Sequence, residues 1–277
     1  MVWGRVILRA MRKWVIIGGP VVLVFVLTLI FWRPRESAPP DPVYNGRPLS
    51  TWLNDPMLER KDAIEAVRGV GTKAIPMLLR LVEVRDAVEA PWMTHAADPE
   101  KRFMPVSDVM RWQMGAELGF ETLGTNAQNA VPALMRVLSK NDSKGAKAAA
   151  IICLGSIGRP AAAAVALLVE YSTNAEELVR LVAVESLCKI HGDPEKVVPV
   201  LIRSLGERNK NMESTVLQGL DYYGSAAQAA APAIIEYLKA RRWDWNDDKE
   251  YLQSFAEWAL KAVDPGAAVR AGITNVP

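Results

Sequence analysis

The chain is poor in the residues that build metal centres and covalent catalysis. It holds two cysteines and two histidines in 277 residues. His95 has no cysteine or pair of carboxylates near it at metal-ligand spacing, and His191 has only Cys188, three residues before it, too few ligands for structural zinc. Cys153 and Cys188 fall in adjacent repeats of the pattern described below and read as buried free thiols. There is no P-loop, no HExxH and no GxSxG. The stretch Gly69-Val70-Gly71-Thr72-Lys73-Ala74 nominally matches the dinucleotide fingerprint. That motif needs a strand before it and a βαβ unit around it, whereas here the glycines end a helical pattern. No catalytic, cofactor-binding or metal-binding residue is assigned, and the chain does not read as an enzyme.

Charge of one sign is also scarce. The formal net charge is +2, from 33 Lys and Arg against 31 Asp and Glu. Six of the basic residues, Arg5, Arg9, Arg12, Lys13, Arg33 and Arg35, flank one N-terminal apolar run. Without them 27 basic residues face 31 acidic ones, a net of −4. A mildly acidic body argues against a nucleic-acid surface.

What the chain does have is repetition. Turn residues recur at Gly71, Gly124, Gly158, His191, Gly224 and Asp264. From Gly124 to Gly224 the steps are 34, 33 and 33 residues. Eight residues before each turn stands a small or β-branched residue: Ala63, Ala116, Ala150, Ala183, Val216 and Ala256. Five before it the residue is small, and four before it the residue is bulky, as in Val67, Phe120, Leu154, Leu187, Leu220 and Leu260. Eight after it come Pro132, Pro199 and Pro232, which predict the start of a second helix, with Ala166 in that place in the third unit. Small columns let helices approach and bulky ones fill the space between stacked pairs, so the pattern is a one-dimensional array.

The period alone also suits tetratricopeptide repeats, but their Trp and Tyr columns are absent. The stretches AIEAVRGVGTKAIPMLLRLV, FETLGTNAQNAVPALMRVL and YYGSAAQAAAPAIIEYLKA resemble bacterial HEAT repeats, including the repeats of phycobilin lyase-type proteins. The resemblance runs over residues 56–270. It implies an all-α fold: a right-handed α-solenoid of about six helix pairs. It also implies a protein-binding or scaffolding role. A tetrapyrrole-handling role like that of the lyases is the alternative and needs a polar, carboxylate-bearing cavity, which no residue pattern marks. A purely structural spacer is the third reading.

Residues 14–32, between Trp14 and Trp32, carry no charge. At about 1.5 Å per residue they reach roughly 28 Å, close to the thickness of a bilayer core. The expectation is one transmembrane helix, uncleaved, with residues 1–13 in the cytoplasm. Arg5, Arg9, Arg12 and Lys13 precede the run, against Arg33, Arg35 and Arg47 after it. This places the array beyond the inner membrane, in the periplasm or its equivalent. Residues 33–55 read as a Pro-rich linker followed by an N-terminal cap, YNGRPLSTWLND, in which Trp52 and Leu53 cover the open end of the first repeat. That stretch resembles a short preface found ahead of HEAT arrays in membrane-anchored bacterial proteins. Asp55-Pro56 is expected to cap the first helix.

Two features break the period. Residues 85–108 form an insert with Trp92, Met93, Phe103 and Met104, and a C-terminal cap is expected around Trp243, Trp245 and Trp258. Aromatic residues and Met are enriched at interface cores, so the insert is the expected partner-binding site, steered by Arg80 and Arg136. Those arginines belong to a charged stripe on the second helices with Glu170, Arg203 and Glu236, on which Arg203 is expected to be exposed and is a further candidate partner contact. No small-molecule substrate and no nucleic acid is implied.

Overall fold

A first helix, a left-handed turn residue and a second helix follow one another through the chain. This computed structural model describes residues 40–54, 59–84, 106–140, 143–207, 210–240 and 248–273. The apolar run at residues 14–32, the insert residues Trp92, Met93, Phe103 and Met104, and Trp243 and Trp245 lie outside them. Among the described residues no helix is long and apolar enough to cross a membrane.

The array opens on a hairpin, β1 (Val43–Tyr44) and β2 (Arg47–Pro48), joined by Asn45 and Gly46, both at positive φ. Asn-Gly is the pair that such a two-residue turn requires. Helix α1 (Leu49–Asn54) follows and buries Leu49 and Leu53. Trp52 Nε1 donates to the Tyr44 carbonyl at 3.1 Å, and the Arg47 guanidinium lies over the Trp52 ring. Tyr44 packs against Gly69, where a Cβ would collide with its ring. Leu49 is the most buried residue of α1.

The first pair is α2 (Arg60–Val70) and α3 (Ile75–Val82). Asp55-Pro56, expected to cap the first helix, lies outside the described residues, and α2 begins at Arg60. Glu59 is its N-cap residue, with its own N–H donating to the Asp62 carboxylate three residues on. The second pair is α4 (Val106–Leu123) and α5 (Val131–Lys140), so the last three residues assigned to the insert, Val106, Ser107 and Asp108, are helical. The third pair is α6 (Lys144–Ile157) and α7 (Val165–Tyr171). The fourth is α8 (Glu177–Ile190) and α9 (Pro194–Gly206), the fifth α10 (Lys210–Tyr223) and α11 (Ala231–Ala240). The sixth, α12 (Asp248–Val263) and α13 (Pro265–Arg270), ends the array. First helices stack on one another in order from α4 to α12, and α7, α9 and α11 form the second layer.

The repeat columns are the core. The residues four before each turn are fully buried in all six units, and those eight before are buried too. Gly71, Gly124, Gly158, His191 and Gly224 all take positive φ. Glycine adopts that conformation without a Cβ penalty, and His is among the few other residues that tolerate it. Asp264 departs from this set: at φ −150 it is extended and caps α13 through its side chain, which accepts from Ala267 N–H.

After the glycine turns the chain runs as 3-10 helix, as in Gly124–Ala130, Arg159–Ala164 and Gly224–Ala230. With three residues per turn, side chains three apart eclipse. Ala127 and Ala130, Ala161 and Ala164, and Ala227 and Ala230 accordingly all face inward and are fully buried. The fourth unit differs. Asp193 caps and Pro194 opens α9 directly, its carboxylate accepting from Glu195 N–H at 3.0 Å. The second helix therefore starts five residues earlier than Pro199, which lies inside it. The Asp-Pro pair supplies a helix start at the turn itself, and it outweighs the cost of an internal proline near the N-terminus.

Candidate functional site

The charged stripe expected on the second helices is not one surface of free charges. Arg136, Glu170 and Glu236 are exposed, the last within 3.9 Å of Lys239. Arg80 is half-buried and within electrostatic reach of Asp41 and Glu83. Arg203 is exposed as expected, but it is also bonded. Its Nη2 donates to Ser172 Oγ at 2.8 Å and to the Ser172 carbonyl at 3.4 Å, tying α9 to the fully buried end of α7. A guanidinium reaches the preceding unit where a shorter side chain would not.

A different surface emerges on the other layer. At about 100° per residue, positions ten and six before each turn lie opposite the buried columns, on the face of the first helices turned away from the second. In the first unit these are Lys61 and Glu65, and in the fifth Ser214 and Gln218. In the second to fourth units they are Met114 and Leu118, Ala148 and Ile152, and Leu181 and Glu185. The outward face is thus polar in the first and fifth units and largely apolar across α4, α6 and α8, Glu185 excepted, while the sixth unit carries Ser254 and the exposed Trp258. Met110 and Met114 are each 59% exposed and Leu178 57%. Leu118, Ile152 and Leu181 are half-buried against the core.

The middle helix of this patch is recessed. Apart from the exposed Lys144 at its start, which pairs with Glu176, its outward residues Gly145, Ala148, Ile152 and Ser156 are mostly small, and none of these four is exposed. Its neighbours carry Met110 and Met114 on one side and Leu178 on the other. Small side chains between large ones leave a furrow along α6. The helix approach that makes it is close: a Cβ on Gly155 would lie 2.7 Å from Ser186 Oγ, which donates to the Ile151 carbonyl.

One carboxylate borders the furrow. Seven residues before the turn the array has Ile151, Val184 and Leu217, all buried, but Glu117 in the second unit. Glu117 is half-buried and has no hydrogen bond or ion pair among the described residues. Burial pushes its carboxyl up to about 7, with the Glu185 carboxylate pushing the same way and the Lys189 ammonium opposing. Glu185 and Lys189 pair at 2.6 Å on α8, two first helices away. Their reach to Glu117 across α6 places both walls of the furrow within one electrostatic neighbourhood. Cys153, beneath it, is fully buried and free, and burial and Glu117 raise its thiol well above its ordinary value. Cys188 is likewise free and is raised to about 12 by burial.

Other features serve the fold. The His191 ring lies between Tyr223, stacked at 4.2 Å, and Tyr222, edge-on at 3.7 Å. Burial lowers its pKa, so it stands as a neutral ring in the turn. Gly192 beside it has no room for a Cβ against Val165, and Tyr223 donates to its carbonyl at 3.2 Å. At the C-terminal end a cleft of about 500 Å³ is bordered by Ile235 and Leu238 of α11, Gln253 and Glu257 of α12, and Arg270 of α13. It forms because α13 is only six residues long and leaves α11 and the start of α12 uncovered. Trp258, expected in a C-terminal cap, instead faces outward at 51% exposure, edge-on to Phe255. Among the described residues no cluster of His, Cys, Asp or Glu could hold a metal ion.

A family profile for HEAT repeats matches residues 107–188, the stretch from α4 to α8 that carries the furrow. The chain has no match among curated proteins. Repeats of this type generally mediate protein–protein interaction or scaffolding and are typically non-catalytic.

Proposed function

We propose that this chain is a membrane-tethered protein-binding scaffold, held by residues 14–32 with its repeat array outside the cytoplasm, and that it binds its partner through the outward face of α4, α6 and α8. The observation that carries the reading is the run of outward apolar residues across three consecutive units, separated from Trp258 of the sixth unit by the polar fifth. Lys61 and Glu65 in the first unit, and Ser214 and Gln218 in the fifth, mark how the same positions read where no apolar surface is offered. A contiguous apolar patch rimmed by polar residues is the mark of an interaction surface, whereas single exposed apolar residues are ordinary. Tethering is supported by the uncharged run between Trp14 and Trp32 and by the basic residues before it.

Two measurements test this. A topology reporter fused after Pro277 is active outside the cytoplasm if the orientation holds, and cytoplasmic activity reverses it. Affinity purification of the full chain from chemically cross-linked cells yields a stoichiometric protein that is lost from the Met114→Glu, Leu178→Glu double variant. Both residues are exposed, so the fold persists. Retention of that protein at wild-type yield refutes this surface.

A further inference from the structure

We propose that the furrow along α6 receives one amphipathic helix of the partner protein, with its apolar side against Met114, Ile152 and Leu178 and a Lys or Arg of that helix paired with Glu117. The inference rests on the protein-binding reading above and adds the chemistry of the partner.

Three observations converge on it. The first observation is that α6 presents only half-buried or buried residues at Gly145, Ala148 and Ile152 between the exposed Met114 and Leu178. First helices spaced about 8–10 Å apart place the walls α4 and α8 about two such spacings apart, enough for one more helix. The floor of the furrow is small or apolar, with Gly145, Ala148 and Ile152, and its walls carry the exposed Met114 and Leu178, which suits a helix laid in a groove with anchors three and four residues apart. The third observation is Glu117. Every other interior unit fills that column with a buried Ile, Val or Leu. A carboxylate half-withdrawn from water, with no ion-pair partner of its own among the described residues, disfavours the free protein and is satisfied by a cation arriving from outside. The Lys189 ammonium does not fill that role, because it lies 2.6 Å from Glu185. Lys189 acts on Glu117 across α6 without bonding it, so an incoming cation adds the direct ion pair that Glu117 lacks among the described residues.

The test uses the full chain in phosphatidylcholine nanodiscs, with a photoreactive benzoylphenylalanine in place of Leu178. Two synthetic helices about four turns long are titrated, one of Leu and Lys and one of Leu and Glu in the same pattern. The Leu/Lys helix is expected to form a discrete adduct. Glu117→Gln raises the concentration for half-maximal adduct at least about tenfold, the effect of removing one partner of a partly buried charge pair. Glu117→Arg abolishes the adduct, and Gln218→Leu, on the same face two units away, leaves it unchanged. Helical circular dichroism confirms that each variant is folded. Equal adducts from the Leu/Glu helix, or an unchanged titration in Glu117→Gln, overturn the proposal. Adducts to lipid in place of peptide overturn it in favour of a membrane-facing surface. If neither helix forms an adduct, the furrow does not take a helix. The broader reading is judged separately, by whether the Met114→Glu, Leu178→Glu variant loses its co-purifying protein.

Discussion

Replacing Glu117 by Gln should stabilise this protein at neutral pH and leave it unchanged in acid. In the folded chain burial raises the Glu117 carboxyl from 4.5 to about 7. A group whose folded pKa is raised binds its proton more tightly in the native state, so stability falls as pH rises from 4.5 to 7 and stays low above that. At about 1.36 kcal/mol per unit the full shift corresponds to about 3 kcal/mol, which the remaining solvent exposure of the carboxylate reduces to about 1–2 kcal/mol. Gln keeps the shape and removes the charge. Thermal melts by far-ultraviolet circular dichroism should show the variant melting about 3–6 °C higher at pH 8. At pH 4.5 the two proteins should melt close together, because folded Glu117 is then protonated. A variant that is less stable at pH 8, or that gains as much at pH 4.5 as at pH 8, refutes the argument that this charge is carried at a cost.

The remaining predictions concern the array. Leu187→Ala removes a fully buried side chain from the centre of the bulky column and should cost about 2–5 kcal/mol by urea denaturation. Arg203→Ala breaks the bonds to Ser172 and should cost about 0.5–1.5 kcal/mol, more than a solvated arginine would. Gly219→Ala puts a Cβ 2.5 Å from Cys188 Sγ and should destabilise by about 1–3 kcal/mol. Gly206→Ala meets nothing within 4 Å at the end of α9 and should be neutral or stabilise by up to about 1 kcal/mol. Cys153 and Cys188 should not react with Ellman's reagent at pH 8 in the native protein and should both react in guanidinium chloride.

The fold is legible in the sequence because the turn residues are few and their chemistry is strong. Glycine at four fixed places, with a small or β-branched residue and a bulky one at constant offsets before it, specifies the stacking directly, and His191 follows the glycines into positive φ. The start of α9 is not legible in the same way, because two competing proline signals stand five residues apart, and Asp193 before Pro194 decides between them. The role of Arg203 is hidden because its partner Ser172 lies 31 residues away in the preceding unit, beyond any local pattern. The furrow is present in the sequence but obscured by the attention that bulky and charged residues attract. Its signal is an outward column that turns from Lys61 and Glu65 to Met114, Leu118, Ala148 and Ile152, and back to Ser214 and Gln218. Glu117 is visible only once that column's neighbours are known to be buried.

The claim that the outward face of α4, α6 and α8 is a protein-binding surface is tested most directly by photo-crosslinking in living cells. Benzoylphenylalanine is placed at Met114 in one full-length chain and at Gln218 in another, both exposed on the same face. The account predicts one discrete protein adduct from the Met114 site and none from the Gln218 site. Equal adducts from both, or an adduct from Gln218 alone, would contradict it.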